Sequence, residues 1–240
     1  MDNKEKVMLA KRQIATKWKC DPGAFDAKDN VFFASKDTFF EIITFGVNAV
    51  IRADETILDW CNEKFLSLPA RDIMDEDNLY DLDTFLRSLG KKLSGEHIGY
   101  LHLFPEKVVA KPQGFTYRLF VGEEIAQLRA AVDYNSFDNA FSHEPERDVL
   151  AIAAYDGDNI AAIAGSDDYL DTLWQIGIDT QPAYRHRGLG AYLVKQITCE
   201  IERLHKVAYY NTWSANLPST KIALSTGFYP TWMGYPSQNV

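Results

Sequence analysis

The chain has 240 residues, of which 46% are hydrophobic and 25% are charged, a composition typical of soluble globular proteins. This length allows one or two domains whose cores need neither a metal nor a disulfide. The formal net charge of -9 argues against nucleic acid or an anionic membrane as a partner, because phosphate groups bind basic surfaces.

The sequence shows neither a membrane span nor a secretion signal. No apolar run approaches the roughly 18 residues of a transmembrane helix, and the first residues are mixed in charge with no apolar segment behind them. Cys20, Cys61 and Cys199 are far apart, which predicts reduced thiols and neither a disulfide framework nor a zinc site. We therefore expect a cytoplasmic protein without a metal.

A break in the sequence predicts two domains. Pro105, Pro112 and Gly114 interrupt any regular element, and we place the boundary near residue 112. The two predicted domains are an N-terminal α/β accessory domain over residues 1–112 and a second domain over residues 113–240. The elements expected in the first are a helix over 4–19, a strand over 39–46 with a hairpin partner over 47–51, a helix over 54–66 and a helix over 79–89.

The second domain has a clearer pattern of elements. Asp156-Gly-Asp-Asn159 is a strong hairpin turn between two short apolar runs. The expected elements are a strand over 115–120, a helix over 123–140, strands over 149–155, 160–165 and 173–180, an amphipathic helix over 189–204, a strand over 207–212, a helix over 219–225 and a further strand after Gly227. This order predicts an α+β fold of mixed α/β layers, in which helices cover a mostly antiparallel sheet.

One stretch between a strand and a helix favours a specific chemistry. Residues Arg185-His186-Arg187-Gly188-Leu189-Gly190 occupy the turn and the start of the amphipathic helix. The first N–H groups of a helix lack internal partners and attract anions, and glycines let a ligand approach the backbone. We therefore predict an anion cradle suited to a pyrophosphate, although a plain basic helix start would look the same. The GK[ST] ending of a Walker motif and the third glycine of a Rossmann fingerprint are absent.

Residues 115–240 resemble the GCN5-related N-acetyltransferases (GNAT). The resemblance rests on the motif from Thr180 to Gly190, and on Asn216 followed by Gly227-Phe228 at the family's spacing. More loosely, the whole chain resembles a two-domain branch akin to the zwittermicin-resistance acetyltransferases. The resemblance implies a GNAT catalytic domain over 113–240 that uses acetyl-CoA as co-substrate, needs no metal, and acetylates a primary amine in a ternary complex.

The resemblance also implies which residues hold acetyl-CoA. The backbone of Ile178, Asp179 and Thr180 would bond the pantetheine arm, because the family's strand splays there. Asn216 would contact the arm or anchor the splayed strand. The pyrophosphate would lie beside Arg185 and on the amides of His186, Arg187, Gly188, Leu189, Gly190 and Ala191.

This chain departs from the family at one catalytic position. Many members have a tyrosine seven residues after the asparagine, as the acid to the leaving thiolate, whereas this chain has Ala223. Tyr210 and Ser219 are the nearest substitutes. A thiol pKa near 8.5 makes thiolate a fair leaving group without a dedicated acid.

A base is also needed, because an amine like that of lysine, with a pKa of about 10.4, costs roughly 4.6 kcal/mol to deprotonate at pH 7. The candidates are Asp168 and Asp171, in the loop before the cofactor strand, and Asp179 on that strand. The alternative interpretation is that Asp167, Asp168 and Asp171 are simply solvated loop carboxylates.

Two other functions stay open at this point. Ala223 is compatible with a non-catalytic acyl-CoA-binding regulatory module, and the glycines could serve helix packing in a plain interaction protein. The acceptor is expected to be a small-molecule amine, and the acidic balance favours a cationic one. The sequence does not fix the oligomeric state, and a homodimer is compatible with it.

Overall fold

The computed structural model describes residues 1–240 and has the expected mixed α/β architecture, with helices packed on strands. The helices are α1 (Asn3–Trp18), α2 (Glu55–Phe65), α3 (Ala70–Ile73), α4 (Glu76–Ser88), α5 (Glu123–Ala131), α6 (Leu189–Arg203) and α7 (Leu217–Thr226). The strands are β1 (Val31–Ala34), β2 (Phe40–Thr44), β3 (Ala49–Ala53), β4 (Lys91–Leu93), β5 (His97–His102), β6 (Thr116–Val121), β7 (Asp148–Asp156), β8 (Asn159–Asp167), β9 (Leu173–Thr180), β10 (Val207–Trp213) and β11 (Phe228–Asn239). None of the helices is long and apolar enough to cross a bilayer.

The chain divides into two compact units. Unit 1 comprises Met1–Leu9, Tyr100–Thr212 and Asn216–Tyr229, and unit 2 comprises Ala10–Gly99, Trp213–Ala215 and Pro230–Val240. The expected boundary near residue 112 therefore falls inside unit 1, and the last eleven residues of the expected second domain fall in unit 2. The division into an accessory and a catalytic domain stays a prediction.

In unit 2, four strands lie in the order β1-β3-β2-β11, and β4 pairs with β11. Apolar residues of β2 and β3 pack against α2 and α4, with Ile42, Ile57 and Leu82 fully buried. Helix α4 begins three residues earlier than the sequence predicts, because Asp75 caps it by accepting the N–H of Asn78 at 3.0 Å.

In unit 1, five strands lie in the order β6-β7-β8-β9-β10, antiparallel up to β9 and parallel between β9 and β10. The hairpin between β7 and β8 turns at Gly157, whose φ of +59° suits glycine. Helix α6 makes the crossover to β10 and buries Leu193, Ile197 and Ile201 completely. Each such side chain contributes about 1.5–3 kcal/mol on burial, so α6 is firmly packed in unit 1.

The prediction of a helix as far as Ala140 is wrong. Helix α5 ends at Ala131, and Val132 is extended, with φ -113° and ψ 155°. Asp133 caps a separate short turn by accepting the N–H of Asn135 at 3.3 Å. Residues 132–144 therefore form a segment over the sheet instead of a continued helix.

The first turns of α1 are held in unit 1 by a buried polar cluster. The Lys6 ammonium donates to the His102 carbonyl and to the Glu202 carboxylate, both at 2.7 Å. The His102 ring nitrogen Nδ1 lies 2.9 Å from the same carboxylate oxygen. Burial raises the pKa of Glu202, but the bonds from His102 and Lys6 outweigh burial and hold it at about 2.

We expect Glu202→Gln to lower the free energy of unfolding by about 1–3 kcal/mol at pH 7, because the Lys6 ammonium and the His102 ring lose a charged acceptor. Since the folded pKa is below the usual 4.5, the stabilisation is complete above about pH 4.5 and is lost as the pH falls toward 2. Urea unfolding at pH 7, 5 and 3 should show a smaller pH dependence in the variant. The control is Glu200→Gln, whose carboxylate pairs only with the exposed side chain of Arg203. Equal effects of the two substitutions would contradict this assignment.

Candidate functional site

Strands β9 and β10 separate partway along their length. Their parallel register begins with Leu173 beside Val207 and ends with Ile176 beside Tyr210. Strand β9 nevertheless continues to Thr180 and stays paired with β8 throughout. Its other edge from Gly177 onward therefore presents backbone N–H and C=O groups that β10 does not satisfy. This open edge contains the three residues for which the resemblance implies pantetheine contacts.

The open edge leads directly into the start of α6. Gly188 is the N-cap, with a φ of +79°, and His186 also has a positive φ of +61°. The first helical bond runs from Tyr192 N to Gly188 O at 3.0 Å. The N–H groups of Leu189, Gly190 and Ala191 thus have no acceptor within the helix. Together with the left-handed turn, these N–H groups give the start of α6 the backbone geometry that suits an anion, and its use as a pyrophosphate site stays a prediction.

Two arginines next to the cradle have no ionic partner within 4 Å. Arg185 Nε donates to the Thr180 carbonyl at 3.3 Å, which closes the turn after β9. The guanidinium of Arg187 lies 4.4 Å from the ring centroid of Phe115 and 5.8 Å from that of Tyr184. Both positive charges therefore stay available to an anion at the helix start.

The two glycines of the cradle, Gly188 and Gly190, have different structural roles. Gly188 supplies the left-handed backbone, with only Pro112 close to the place of a side chain. A Cβ at Gly190 would lie 2.9 Å from Ile222 Cδ1 and within 4 Å of Thr180 and Ile178. Gly190 thus permits close packing of α6 against α7 and β9, while its N–H stays in the cradle.

The structure brings together the two candidate acids. The Tyr210 hydroxyl lies 3.0 Å from Ser219 Oγ, and Tyr210 is the last residue of β10 that pairs with β9. Burial raises the pKa of Tyr210 to about 12, so its hydroxyl keeps its proton at neutral pH. Ala223 is fully buried on α7.

Asn216 begins α7. Its Oδ1 accepts the N–H of Ser219 at 3.2 Å as the helix N-cap, which also fixes the position of the Ser219 side chain. Asn216 therefore has a structural use, and the role in acetyl-CoA binding that the resemblance implies stays a prediction.

The structure does not bring Asp168 and Asp171 to the open edge. Asp171 precedes the first residue of β9, so the whole strand separates it from the cradle. Its side chain is 85% exposed and lies 3.6 Å from Lys206. The Asp168 carboxylate lies 3.7 Å from Arg147. Their role as bases finds no support in this geometry.

The side chain of Asp179 fastens a neighbouring loop. Its carboxylate accepts the backbone N–H groups of Asn139 and Ala140 at 2.8 and 3.0 Å, and the Asn139 side-chain amide at 3.0 Å. Burial raises its pKa in spite of these bonds. Since its oxygens are engaged, Asp179 serves as an anchor and contributes its backbone to the open edge.

Two glycines let this loop lie directly on the sheet. A Cβ at Gly177 would come within 1.7 Å of the Asn139 carbonyl oxygen, and one at Gly165 within 1.8 Å of the Ala140 carbonyl oxygen. No side chain fits at either position. The sequence signal for this contact is the pair of glycines inside otherwise apolar strands, which marks a close backbone approach.

We expect Asp179→Asn to loosen this loop, because an amide presents N–H groups where the carboxylate accepted three bonds. The free energy of unfolding should fall by about 1–3 kcal/mol. Hydrogen exchange of the Asn139 and Ala140 amides should accelerate more than exchange elsewhere in unit 1. Asp158→Asn, in the exposed β7–β8 turn, is the matched control and should change neither. Unchanged exchange in Asp179→Asn would contradict the anchoring role.

Residues 125–228 match the family model described as "Acetyltransferase (GNAT) family". No match was found among curated proteins, and no group of three or more His, Cys, Asp or Glu residues is placed to hold a metal ion.

Several solved structures of low identity align with part of this chain. A GNAT-family protein of Novosphingobium aromaticivorans is 16% identical, with a TM-score of 0.48 over 62% of this chain and 66% of that one. A GCN5-related N-acetyltransferase of Kribbella flavida is 18% identical, with a TM-score of 0.47 over 66% of this chain and 63% of that one. A Salmonella typhimurium protein solved with its cofactor acetyl-CoA is 14% identical, with a TM-score of 0.37 over 53% of this chain and 94% of that one. The chain thus spans less than two thirds of the first two proteins.

The family match begins in α5 and ends at the first residue of β11, so it contains the open edge, the cradle and the Tyr210–Ser219 pair. Residues 125–228 of this chain match the GNAT acetyltransferase family.

Proposed function

We propose that this protein is an acetyl-CoA-dependent N-acetyltransferase that moves an acetyl group to a primary amine of a small molecule in a ternary complex. The observation that carries the proposal is the open edge of β9, which ends in the anion cradle of α6. Strand β9 thereby offers unpaired backbone groups to the amides of a pantetheine arm. The helix start that follows the strand offers a site for the phosphates. The GNAT match over residues 125–228 supports this proposal.

The residues present fit the parts of acetyl-CoA. The N–H groups of Leu189, Gly190 and Ala191 bind the pyrophosphate, and Arg185 and Arg187 add positive charge. The open backbone of residues 178–180 binds the two amides of the pantetheine arm. Acetyl-CoA supplies the thioester, and the N–H donors of the open edge stabilise negative charge that develops on the acyl oxygen.

Tyr210 takes the place of the family's tyrosine as the proton donor to the leaving sulfur. Its high pKa keeps it protonated, and it stands where β9 and β10 begin to separate. A thiol has a pKa near 8.5, so proton transfer from the tyrosine assists a leaving group that is already fair. Ser219, 3.0 Å away, orients the hydroxyl.

We expect the protein to bind acetyl-CoA in a calorimetric titration, and to bind dephospho-CoA and ATP less tightly. Gly188→Leu should weaken acetyl-CoA binding about 10- to 100-fold, because the side chain enters the cradle and displaces charge-assisted bonds of about 1.5–3 kcal/mol. The control is Gly157→Leu, since Gly157 also has a positive φ, +59°, but lies in the β7–β8 turn. Equal affinities of the two variants would mean that the cradle is only a helix start.

We expect Tyr210→Phe to lower kcat by at least about 100-fold while acetyl-CoA affinity stays unchanged, because the hydroxyl acts on the leaving group. Thiol release with a mixed amine panel measures the rate, and calorimetry measures binding. Tyr155→Phe, on β7, is the control and should leave both unchanged. An unaltered kcat in Tyr210→Phe would remove Tyr210 from the mechanism.

Several finer expectations stay predictions. They are the two-domain zwittermicin-resistance branch, the cytoplasmic location, the lack of nucleic-acid and membrane partners, and the homodimer. Binding of acetyl-CoA without turnover of any amine would instead be the behaviour of a regulatory module.

A further inference from the structure

A pocket of about 310 Å³ lies in unit 1 beside the open edge of β9. Its floor includes Gln175 and Gly177 of β9 and Gly165 and Asp167 of β8, and residues 138–144 of the anchored loop form a wall. Gly177 is also the first residue of β9 beyond its pairing with β10. The pocket therefore meets the open edge at the end away from the cradle, where an acyl group carried along that edge would arrive.

The pocket has a fixed shape, because the loop that forms its wall is hydrogen-bonded to the sheet. Asp179 holds the loop by three hydrogen bonds, and the Ser142 N–H donates to the Asp148 carboxylate at 2.7 Å. Arg129 in turn pairs with Asp148 at 2.8 Å. These bonds hold the wall at both ends of its length.

The charge of the pocket is negative. No lysine or arginine lines it, whereas Asp138, Glu144, Asp148 and Asp167 do. Two of these charges are compensated, since Arg129 pairs with Asp148 and Arg147 pairs with Glu144. A cationic ligand is the occupant that this lining favours.

Asp167 is the pocket carboxylate closest along the sheet to the open edge. Strand alternation places it on the same face as Gly165, which meets the loop. Asp167 pairs in the register with Gln175, and Gln175 is two residues before Gly177 on β9. Its carboxylate accepts the N–H of Tyr169 at 3.1 Å and is in no ion pair. Asp167 can therefore accept a cation that enters the pocket.

We propose that this pocket is the acceptor site, that its substrate is a cationic primary amine, and that Asp167 is the catalytic base that receives its proton. This inference rests on the proposed function. The ammonium gives one proton to the Asp167 carboxylate, and the freed nitrogen lone pair forms the bond to the acyl carbon. The carbon–sulfur bond breaks with its electron pair on sulfur, and the sulfur takes up the second proton lost from nitrogen, by way of Tyr210. The products are an amide and a free thiol.

The environment of Asp167 suits a base. Burial raises its pKa to about 6, against the lowering effect of the Tyr169 N–H and of Arg147. This pKa is nearer than that of an ordinary aspartate to the pKa of an alkylammonium, about 10.4. The carboxylate nevertheless stays ionised at pH 7. The titratable and charged groups around it are Asp148 on β7, Tyr209 on β10, Arg147, Asp168 and Tyr169 in the flanking loops, and Asp138, His143 and Glu144 in the pocket wall.

The experiment compares the full-length protein with Asp167→Asn and with the matched surface control Asp158→Asn. Calorimetric titration with acetyl-CoA comes first, and all three proteins should bind it with equal affinity. Thiol release is then followed with 1,4-diaminobutane and 2-phenylethylamine as cationic acceptors and with aspartate as an acidic one, from pH 5 to 9. The wild type should prefer the cationic amines, and its kcat/KM should rise with pH through about 6. Asp167→Asn should lower kcat/KM at least about 100-fold and abolish that rise.

The outcomes separate this inference from the proposed function. A wild type that fails to bind acetyl-CoA overturns the proposed function itself. A wild type that binds acetyl-CoA but prefers aspartate overturns the acceptor assignment alone. A wild type that binds acetyl-CoA and acetylates none of the three amines behaves as a regulatory module, which overturns the acceptor assignment together with the proposed function. If Asp167→Asn binds acetyl-CoA and keeps the rate and pH profile of Asp158→Asn, Asp167 is not the base. A pH-independent loss of rate in Asp167→Asn, with the rise near pH 6 retained, equally overturns it.

Discussion

The point at which β9 loses β10 as its partner is the constraint on which the rest of the site depends. After Ile176 the strand keeps its bonds to β8 and gives up those on the other side. Leaving backbone groups unpaired inside a domain is costly, so such an edge persists only where the surrounding structure enforces it. Here α6 packs against the end of β9, since Gly190 lies close to Ile178 and Thr180.

The side chains on the two faces of β9 contact different elements. Gln175, Gly177 and Asp179 point to the loop that walls the pocket. Ile178 and Thr180 point to Gly190 and the start of α6. A period of two along one strand thus separates the proposed acceptor pocket from the proposed phosphate site, with the backbone edge between them. Any change of register by one residue would exchange the two faces and destroy both sites.

The sequence predicts the parts of this site that are local. The left-handed turn at Gly188, the hairpin at Gly157 and the amphipathic helix α6 each depend on residues a few positions apart, and the structure has all three. It does not predict the end of α5, because the loop after Ala131 is held by Asp179, about forty residues away. For the same reason Asp167 looks like one of several loop carboxylates in the sequence, and only the pairing of β8 with β9 sets it apart from Asp168. The sequence does not predict the short strands β1, β4 and β5, because none of them has the alternating apolar pattern of a strand with one buried face.

The path of the chain has a consequence for how this protein can be dissected. The last strand, β11, pairs along residues 233–236 with β2, and further along with β4. A fragment that starts at residue 100 would therefore end in a strand stripped of both these neighbours, and a fragment that stops at residue 99 would leave β2 and β4 without theirs. Bare strand edges invite pairing between molecules. No single cut therefore yields two self-sufficient pieces, and a fragment of either half needs the terminal strand to be removed from it or supplied to it.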